Sequence, residues 1–367
     1  MATISARELR VALDEGKTGG DLAERARKRI GAENLAKGSG QIVDELDVAW
    51  VAEGNSPPTV VSELGVDLKL PMKPIGDGLF AAAARLPEGS ALRWKLEVGG
   101  ERTGGGQLET YSTHPDMRDQ GAPKGKLLER KGWRSEVFAG TVRDWSIYVP
   151  AKLDGPAAVM VFQDGVRMYQ EWTTAFDNLV ARGDMPPTVG VFVNPGVFAD
   201  TTVSNRSFEY DTLSDQYTRF VLDEILPDVE REAALREDAA SRAICGMSSG
   251  GICAFTVAWQ RPDRFHKVLS HCGSFANIAS GTTLREGGHN YPFLIRKAPP
   301  KPIRVFLQDG QNDLNNVHGN WWLANLQMAD AFKFAGYDHK LITGQGFHTL
   351  AQGRAIFPDS LRWLWRR

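Results

Sequence analysis

The stretch "RAICGMSSGGICAF", residues 242–255, joins two apolar segments through a turn made only of glycine, serine and one methionine. Arg242 to Cys245 reads as the end of a buried strand, and Ile252 to Trp259 as a helix. The chain must therefore pass from strand to helix within the turn itself. Such a sharp turn leaves no room for side chains two residues to either side of its apex, and Gly246-Met247-Ser248-Ser249-Gly250 supplies glycine at both places. Ser248 is the residue this turn would present. Ser249 has Met247 at the earlier position and fits less well.

A turn of this kind belongs to a sheet of buried, mostly parallel strands, and the surrounding sequence supplies them. "WSIYVP", "AAVMVFQDG", "TVGVFVNPG", "KVLSHCGSF", "IRVFLQDGQND" and "HKLITGQGFH" are apolar segments running into polar or glycine-rich loops. Helical patterns alternate with them, among them "SDQYTRFVLDEILPDVERE", with Ser214 as its expected N-cap, and a long helix from about Trp321 to Phe334. Strands alternating with helices imply an α/β domain with a sheet covered on both faces, assigned to residues 126–367. The earlier sequence differs. "SARE" at Ser5 to Glu8 fits a capping box, and a second helix is expected around Gly20 to Ile30, giving a helical segment over residues 1–40. Short strands with Pro/Gly punctuation then imply a small β-sandwich over residues 41–111, and "STHPDMRDQGAPKGK" a linker at 112–125.

Charge narrows the partners. Lys and Arg total 43 against 45 Asp and Glu, with no long basic block, so nucleic acid is not an expected partner. No apolar run reaches the ~18–20 residues needed to span a bilayer. The start, "MATISARELR", lacks a signal peptide's apolar core, which leaves export open only to a leader removed from the chain. Cys245, Cys253 and Cys272 sit in apolar surroundings and read as buried thiols rather than a disulfide framework.

A serine hydroxyl needs a base, itself oriented by a third group, before it can attack a carbonyl. Downstream, "VFLQDGQND" offers Asp309 and Asp313 in a loop after a strand, and "LITGQGFHTL" offers His348 in another. Asp313 is the preferred acid, Asp309 being suited to fixing the loop. A developing oxyanion needs donors: the backbone amide of Ser249, directly after the nucleophile, and that of Val166, in the loop after "VFQDG", where Gly165 would let the backbone turn. Arg167 follows in the same loop. Arg206, Glu209 and Tyr210 in "NRSFEYD" lie near the same sheet edge, either to bind a polar substrate or with Arg206 and Glu209 as a structural ion pair. Trp172 and Trp321, with Trp322, could stack on a sugar or aryl ring.

Together "QDG", "GMSSGG", "DGQND", "GFH" and the ending "FPDSLRWLWR" resemble the esterase family that contains enterochelin esterases, the feruloyl and acetylxylan esterases of carbohydrate esterase family one, and mycolyltransferases. The resemblance covers roughly residue 126 to the C-terminus. It implies an α/β-hydrolase fold, no metal or other cofactor, and a triad of Ser248, Asp313 and His348. The mycolyltransferase pattern also implies the Val166 amide as oxyanion donor. Enterochelin esterases carry a β-sandwich ahead of the hydrolase domain, as expected here. The expected activity is that of a serine carboxylic-ester hydrolase acting on acetyl or feruloyl esters of plant polysaccharide. A trilactone siderophore is the alternative substrate, followed by acyl transfer to a sugar. A hydrolase fold that binds without catalysing is the reading from a different class. The partner is thus a small-molecule or polysaccharide ester, and the sequence does not fix an oligomeric state.

Overall fold

Residues 2–279 and 286–367 are described by a computed structural model. Contacts divide the chain into two units, Met1–Thr113 with Gln345–Phe347, and His114–Gly344 with His348–Arg367. In the first, eight strands run in chain order: Gln41–Asp44 (β1), Asp47–Glu53 (β2), Thr59–Gly65 (β3), Lys69–Pro71 (β4), Lys73–Gly76 (β5), Leu79–Arg85 (β6), Ser90–Val98 (β7) and Glu101–Thr110 (β8). They form two four-stranded antiparallel sheets, ordered β1-β2-β6-β5 and β4-β3-β7-β8.

Alternation along β2 shows how this unit is layered. Val48, Trp50 and Ala52 join Val60 and Trp94 in the core between the sheets, while Ala49 and Val51 face a second core with Leu9, Leu13 and Ile30. The helices Ala6–Asp14 and Gly20–Ile30 therefore cover the outer face of the first sheet instead of forming a separate segment. The Ser5 capping box forms as expected, with Ser5 Oγ accepting from the Glu8 amide and Glu8 from the Ser5 amide.

The second unit is built on a nine-stranded sheet. Its strands are Lys126–Arg134 (β9), Thr141–Val149 (β10), Ala158–Gln163 (β11), Thr188–Val193 (β12), Val197–Phe198 (β13), Arg242–Met247 (β14), Lys267–His271 (β15), Arg304–Gly310 (β16) and, after a small hairpin of Asn315–Asn316 (β17) and Gly319–Asn320 (β18), Asp338–Gly344 (β19). The order is β13-β10-β12-β11-β14-β15-β16-β19, with β9 on β10. The pairs involving β10 are antiparallel, and the run from β12 to β19 is parallel. On β11, Val159 and Val161 enter one apolar core while Met160 and Phe162 enter the other. Both faces are covered, which explains why the parallel strands read as unbroken apolar runs. The α/β architecture with a mostly parallel sheet, preceded by a β-sheet unit, is the one the sequence implies.

Two local details differ from expectation. The helix expected from Ser214 is capped at Asp215, with Ser214 Oγ accepting the Gln216 amide at 3.4 Å. Its middle, Phe220–Ile225, widens into a π-helical turn. Pro227 has no N–H to return to the Asp223 carbonyl, so the regular ladder cannot continue there.

Arg143, on β10, and Glu209 are both fully buried, and the guanidinium meets the carboxylate at 2.7 and 3.0 Å. Glu209 also accepts from the Gly196 amide and Asn205 Nδ2, and Arg143 donates to Thr141 and lies 4.3 Å from the Phe220 ring centre. Removing one partner strands the other charge in the core. Glu209→Ala is therefore expected to lose about 3–5 kcal/mol in chemical denaturation, and an apolar replacement of both residues to recover most of it.

Candidate active site

Ser248, Asp313 and His348 lie just past the carboxyl ends of parallel strands, as expected for an open α/β sheet. After β14 the chain reaches Ser248 and enters the helix Ser249–Gln260 at once. Ser248 has φ 58° and ψ −124°, a conformation costing on the order of 1–3 kcal/mol for a residue with a side chain. Hydrogen bonds over-determine it. Its amide donates to the His271 carbonyl at 2.9 Å, and its carbonyl accepts from the amides of Gly251 and Ser274 at 2.9 and 3.0 Å. A Cβ on Gly246 would lie 2.3 Å from the Gly250 carbonyl carbon, so the motif's first glycine is a steric requirement.

Ser248 Oγ lies 2.9 Å from His348 Nε2, and His348 Nδ1 lies 2.6 Å from Asp313 Oδ1. An ionised carboxylate only accepts, so the imidazole proton sits on Nδ1 and leaves Nε2 to accept from the serine hydroxyl. Burial opposes ionisation of Asp313. The hydrogen bond from His348, aided by Asp309 and the Leu314 amide, outweighs it and holds the carboxyl below the usual carboxylate range. Of the two candidate acids, the structure sets Asp313 against the imidazole. Asp309 is fully buried and does not meet His348.

Ser274 was not singled out by sequence reasoning. It follows β15 in "SHCGSF", and its Oγ lies 3.1 Å from Ser248 Oγ and accepts the Trp321 indole N–H at 3.0 Å. With Trp321 donating to it and the Ser248 proton directed to His348, the Ser274 hydroxyl is left to donate to Ser248 Oγ. Its position at the end of a parallel strand, like that of Ser248, was the available signal. Trp321 is 2% exposed and packs edge-on against His348 with ring centres 5.9 Å apart. It walls the site instead of offering a face for stacking.

The loop after β11 turns at Asp164, which has φ 53°. Gly165 does not make the turn. A Cβ there would lie 2.4 Å from Phe192 Cα, so the glycine allows the loop to pack on β12. Val166 and Ser249 each stand in the first turn of a helix, where geometry provides no intrahelical acceptor for the amide. Arg206 clamps the turn by donating to both Asp164 oxygens, Nε to Oδ1 at 3.0 Å and Nη2 to Oδ2 at 2.7 Å. Tyr210, fully buried, accepts the Asp164 amide at 3.2 Å.

This redistributes the remaining sequence candidates. Arg206 pairs with Asp164 and Glu209 with Arg143, so the Arg206–Glu209 ion pair, one of the two sequence readings, does not form. Glu209 and Tyr210 are buried and committed to protein partners, out of reach of a substrate. Trp172 is 5% exposed and packs against Tyr169, His271 and Phe357. Arg167 is exposed and, among the described residues, forms no ion pair or hydrogen bond through its side chain. Cys272 Sγ, Asp313 and His348 bring ligand-capable atoms within 4.8 Å of one another. Asp313 and His348 already satisfy each other, and Cys272 Sγ faces the Thr349 carbonyl at 3.5 Å. A metal there would have to break the Asp313–His348 bond.

Among the described residues no helix is long and apolar enough to cross a membrane. Comparison with known proteins agrees with this architecture. The iron(III) enterobactin esterase of Dickeya dadantii is 26% identical over 264 residues, covering 66% of this chain and 56% of that protein. The iron(III) enterobactin esterase of Escherichia coli O6:H1 is 29% identical over 185 residues, covering 48% and 43%. The chain thus spans about half the length of the curated relatives it matches. Among solved structures, Shigella flexneri enterobactin esterase in the presence of enterobactin superposes with a TM-score of 0.63 at 16% identity, covering 92% of this chain and 99% of that one. A ferulic acid esterase from Anaeromyces mucronatus with ferulic acid gives 0.53 at 16% identity, covering 67% and 92%. At these identities the superpositions establish a shared fold. Residues 139–351, more than half of the chain and including Ser248, Asp313 and His348, match the family described as "Putative esterase", and the chain belongs to that esterase family.

Proposed function

We propose that the protein is a serine carboxylic-ester hydrolase that opens a catecholate trilactone siderophore of the enterobactin type. The observation that carries the chemistry is the unbroken hydrogen-bond chain from Ser248 Oγ through His348 to Asp313. In this reading Ser248 Oγ attacks the ester carbonyl while His348 Nε2 takes its proton, and Asp313 stabilises the imidazolium. The amides of Ser249 and Val166 receive the oxyanion. The intermediate collapses, the alkoxide leaves with the proton from His348, and water then releases the acyl group by the same steps in reverse.

The two curated relatives support the trilactone as substrate, both being iron(III) enterobactin esterases. The surface beside the site is consistent with it. Arg167, one residue after Val166, offers an uncommitted cation to an anionic ferric catecholate, and Leu314, Val317 and Leu323 leave apolar side chains exposed just after Asp313. Acetyl and feruloyl esters of polysaccharide rank second. The likeness to a ferulic acid esterase covers two thirds of this chain and is a likeness of fold.

Initial rates on enterobactin, its ferric complex, methyl ferulate, acetylated xylan and para-nitrophenyl acetate test both levels. Ser248→Ala is expected to lower kcat on every ester by roughly 10⁴–10⁶-fold without unfolding the protein. Equal rates in the two proteins would reject Ser248 as nucleophile, and preference for a polysaccharide ester would reject the trilactone. Arg167→Ala is expected to raise KM for the ferric complex about 3–10-fold and to leave para-nitrophenyl acetate unaffected, as fits the loss of a largely solvated charge contact.

A further inference from the structure

The site contains a second carboxyl group that the chemistry above does not use. Asp309 is the penultimate residue of β16 and is fully buried. Among the described residues it forms no ion pair with Lys or Arg, and neither of its oxygens receives a well-formed hydrogen bond. Asp313 Oδ2, also buried, is in the same position. These two orphaned groups face each other across the turn Gly310–Asp313, the contact through which each carboxyl perturbs the other.

Two carboxylates in contact and shielded from water cannot both be ionised, but one proton between them turns repulsion into a hydrogen bond. The surroundings decide which one keeps it. Asp313 faces the His348 imidazole and the Leu314 amide, both of which favour its anion. Asp309 faces Asp313, the Cys272 thiol from the loop after β15 and the Gly310 amide. The last two favour its anion less than burial and Asp313 oppose it. Its partner across the sheet on β19 is the neutral Thr343. His348, from the loop after β19, meets Asp313.

We propose that Asp309 is a neutral carboxylic acid that donates its proton to Asp313 Oδ2 and so aims Asp313 Oδ1 at His348. Asp309 is then a positioning residue, and the inference rests on the Ser248–His348–Asp313 reading above. No proton is transferred in this role. Burial, then the contact with Asp313, push the Asp309 carboxyl up to about 9, so the arrangement holds through neutral pH. As pH rises through that value, Asp309 ionises and a second negative charge faces Asp313.

The test compares wild type, Asp309→Asn and Asp309→Leu. Asparagine keeps a donor for Asp313 Oδ2 but cannot ionise, whereas leucine fills the space without a donor. The Leu variant is expected to lose roughly 10–100-fold in kcat with KM little changed, the effect of one lost hydrogen bond to a charged group. The Asn variant should recover most of that loss. Wild-type kcat should fall as pH rises past about 9, and the Asn variant should lack that limb. Infrared spectra of the resting protein with labelled aspartate provide a readout independent of turnover: wild type at pH 7 should show a protonated carboxyl band that is missing in Asp309→Asn. Absence of the band, an Asn variant as impaired as the Leu variant, or the same alkaline limb in wild type and Asp309→Asn would each overturn the proposal. If Leu prevents folding, the band and the Asn pH profile still decide. Full activity in Ser248→Ala would remove the catalytic reading, while the infrared band would still report on Asp309 by itself.

Discussion

The backbone at Ser248 is the constraint from which the rest of the site follows. A non-glycine residue at φ 58° is retained only where its surroundings leave it no alternative, and here three structures converge on it. The end of β15 takes its amide, the first turn of its own helix and the loop after β15 share its carbonyl, and the contact between Gly246 and Gly250 lets strand and helix meet without a side chain between them. The backbone thus brings Ser248 to the sheet edge, where the Ser274 and His348 side chains meet its hydroxyl. A long side chain would lose rotamer entropy to reach the same place. His348, from the loop after β19 and bonded to Asp313 from the loop after β16, meets the hydroxyl of a serine whose backbone is already fixed.

The loop after β11 follows the same logic with different materials. Its positive φ falls on Asp164 instead of a glycine, and the side chain of that residue is used to hold the turn by accepting two hydrogen bonds from Arg206. Tyr210 accepts the Asp164 amide from the same short helix, Arg206–Asp211, that carries Arg206. That helix is anchored in turn by Glu209 on the buried Arg143 of β10. One hexapeptide therefore ties the antiparallel part of the sheet to the loop that bears Val166. Exposure separates its two ion pairs. Arg143–Glu209 is fully buried and pays its desolvation in the core, whereas Arg206 remains partly open to solvent and leaves Asp164 the buried partner.

Local features were legible in the sequence and distant pairings were not. Ser248 follows β14 directly, and Asp313 and His348 lie in the loops after β16 and β19, so strand pattern and loop chemistry together bring them to one edge before any contact is known. The helix Gly20–Ile30 and the Ser5 capping box depend on residues three or four apart and could be read directly. Neither sequence reading of Arg206 and Glu209, substrate contacts or an ion pair with each other, reaches their partners. Their actual partners lie 42 and 66 residues away, and no pattern of period two or 3.6 encodes that. Trp172 looked available for stacking for the same reason: only the fold reveals the rings of Tyr169, His271 and Phe357 around it. Strand β9, "KLLERKGWR", carries no apolar strand pattern, because it is largely exposed and has the charge of a solvent-facing segment. The glycine at 165 was seen, but its cause was misread, since the close approach to Phe192 is a tertiary fact.

Division of labour between buried and exposed groups bears on how such a chain diverges in function. The groups that hold the Ser248 hydroxyl lie in or under the sheet edge, where replacing one group leaves another unsatisfied. Ser274, Trp321 and Asp309 are buried there beside the hydrogen-bonded Ser248, His348 and Asp313. Arg167 after the Val166 amide and the apolar side chains of Leu314, Val317 and Leu323 are exposed instead. A fold of this kind can exchange one ester for another by changing those residues while its chemistry stays fixed, because loops on a rigid sheet tolerate substitution that the packed edge does not. Fold similarity accordingly reaches both enterobactin and ferulic acid esterases, and in the reading proposed above the choice between such esters would rest on the exposed side chains.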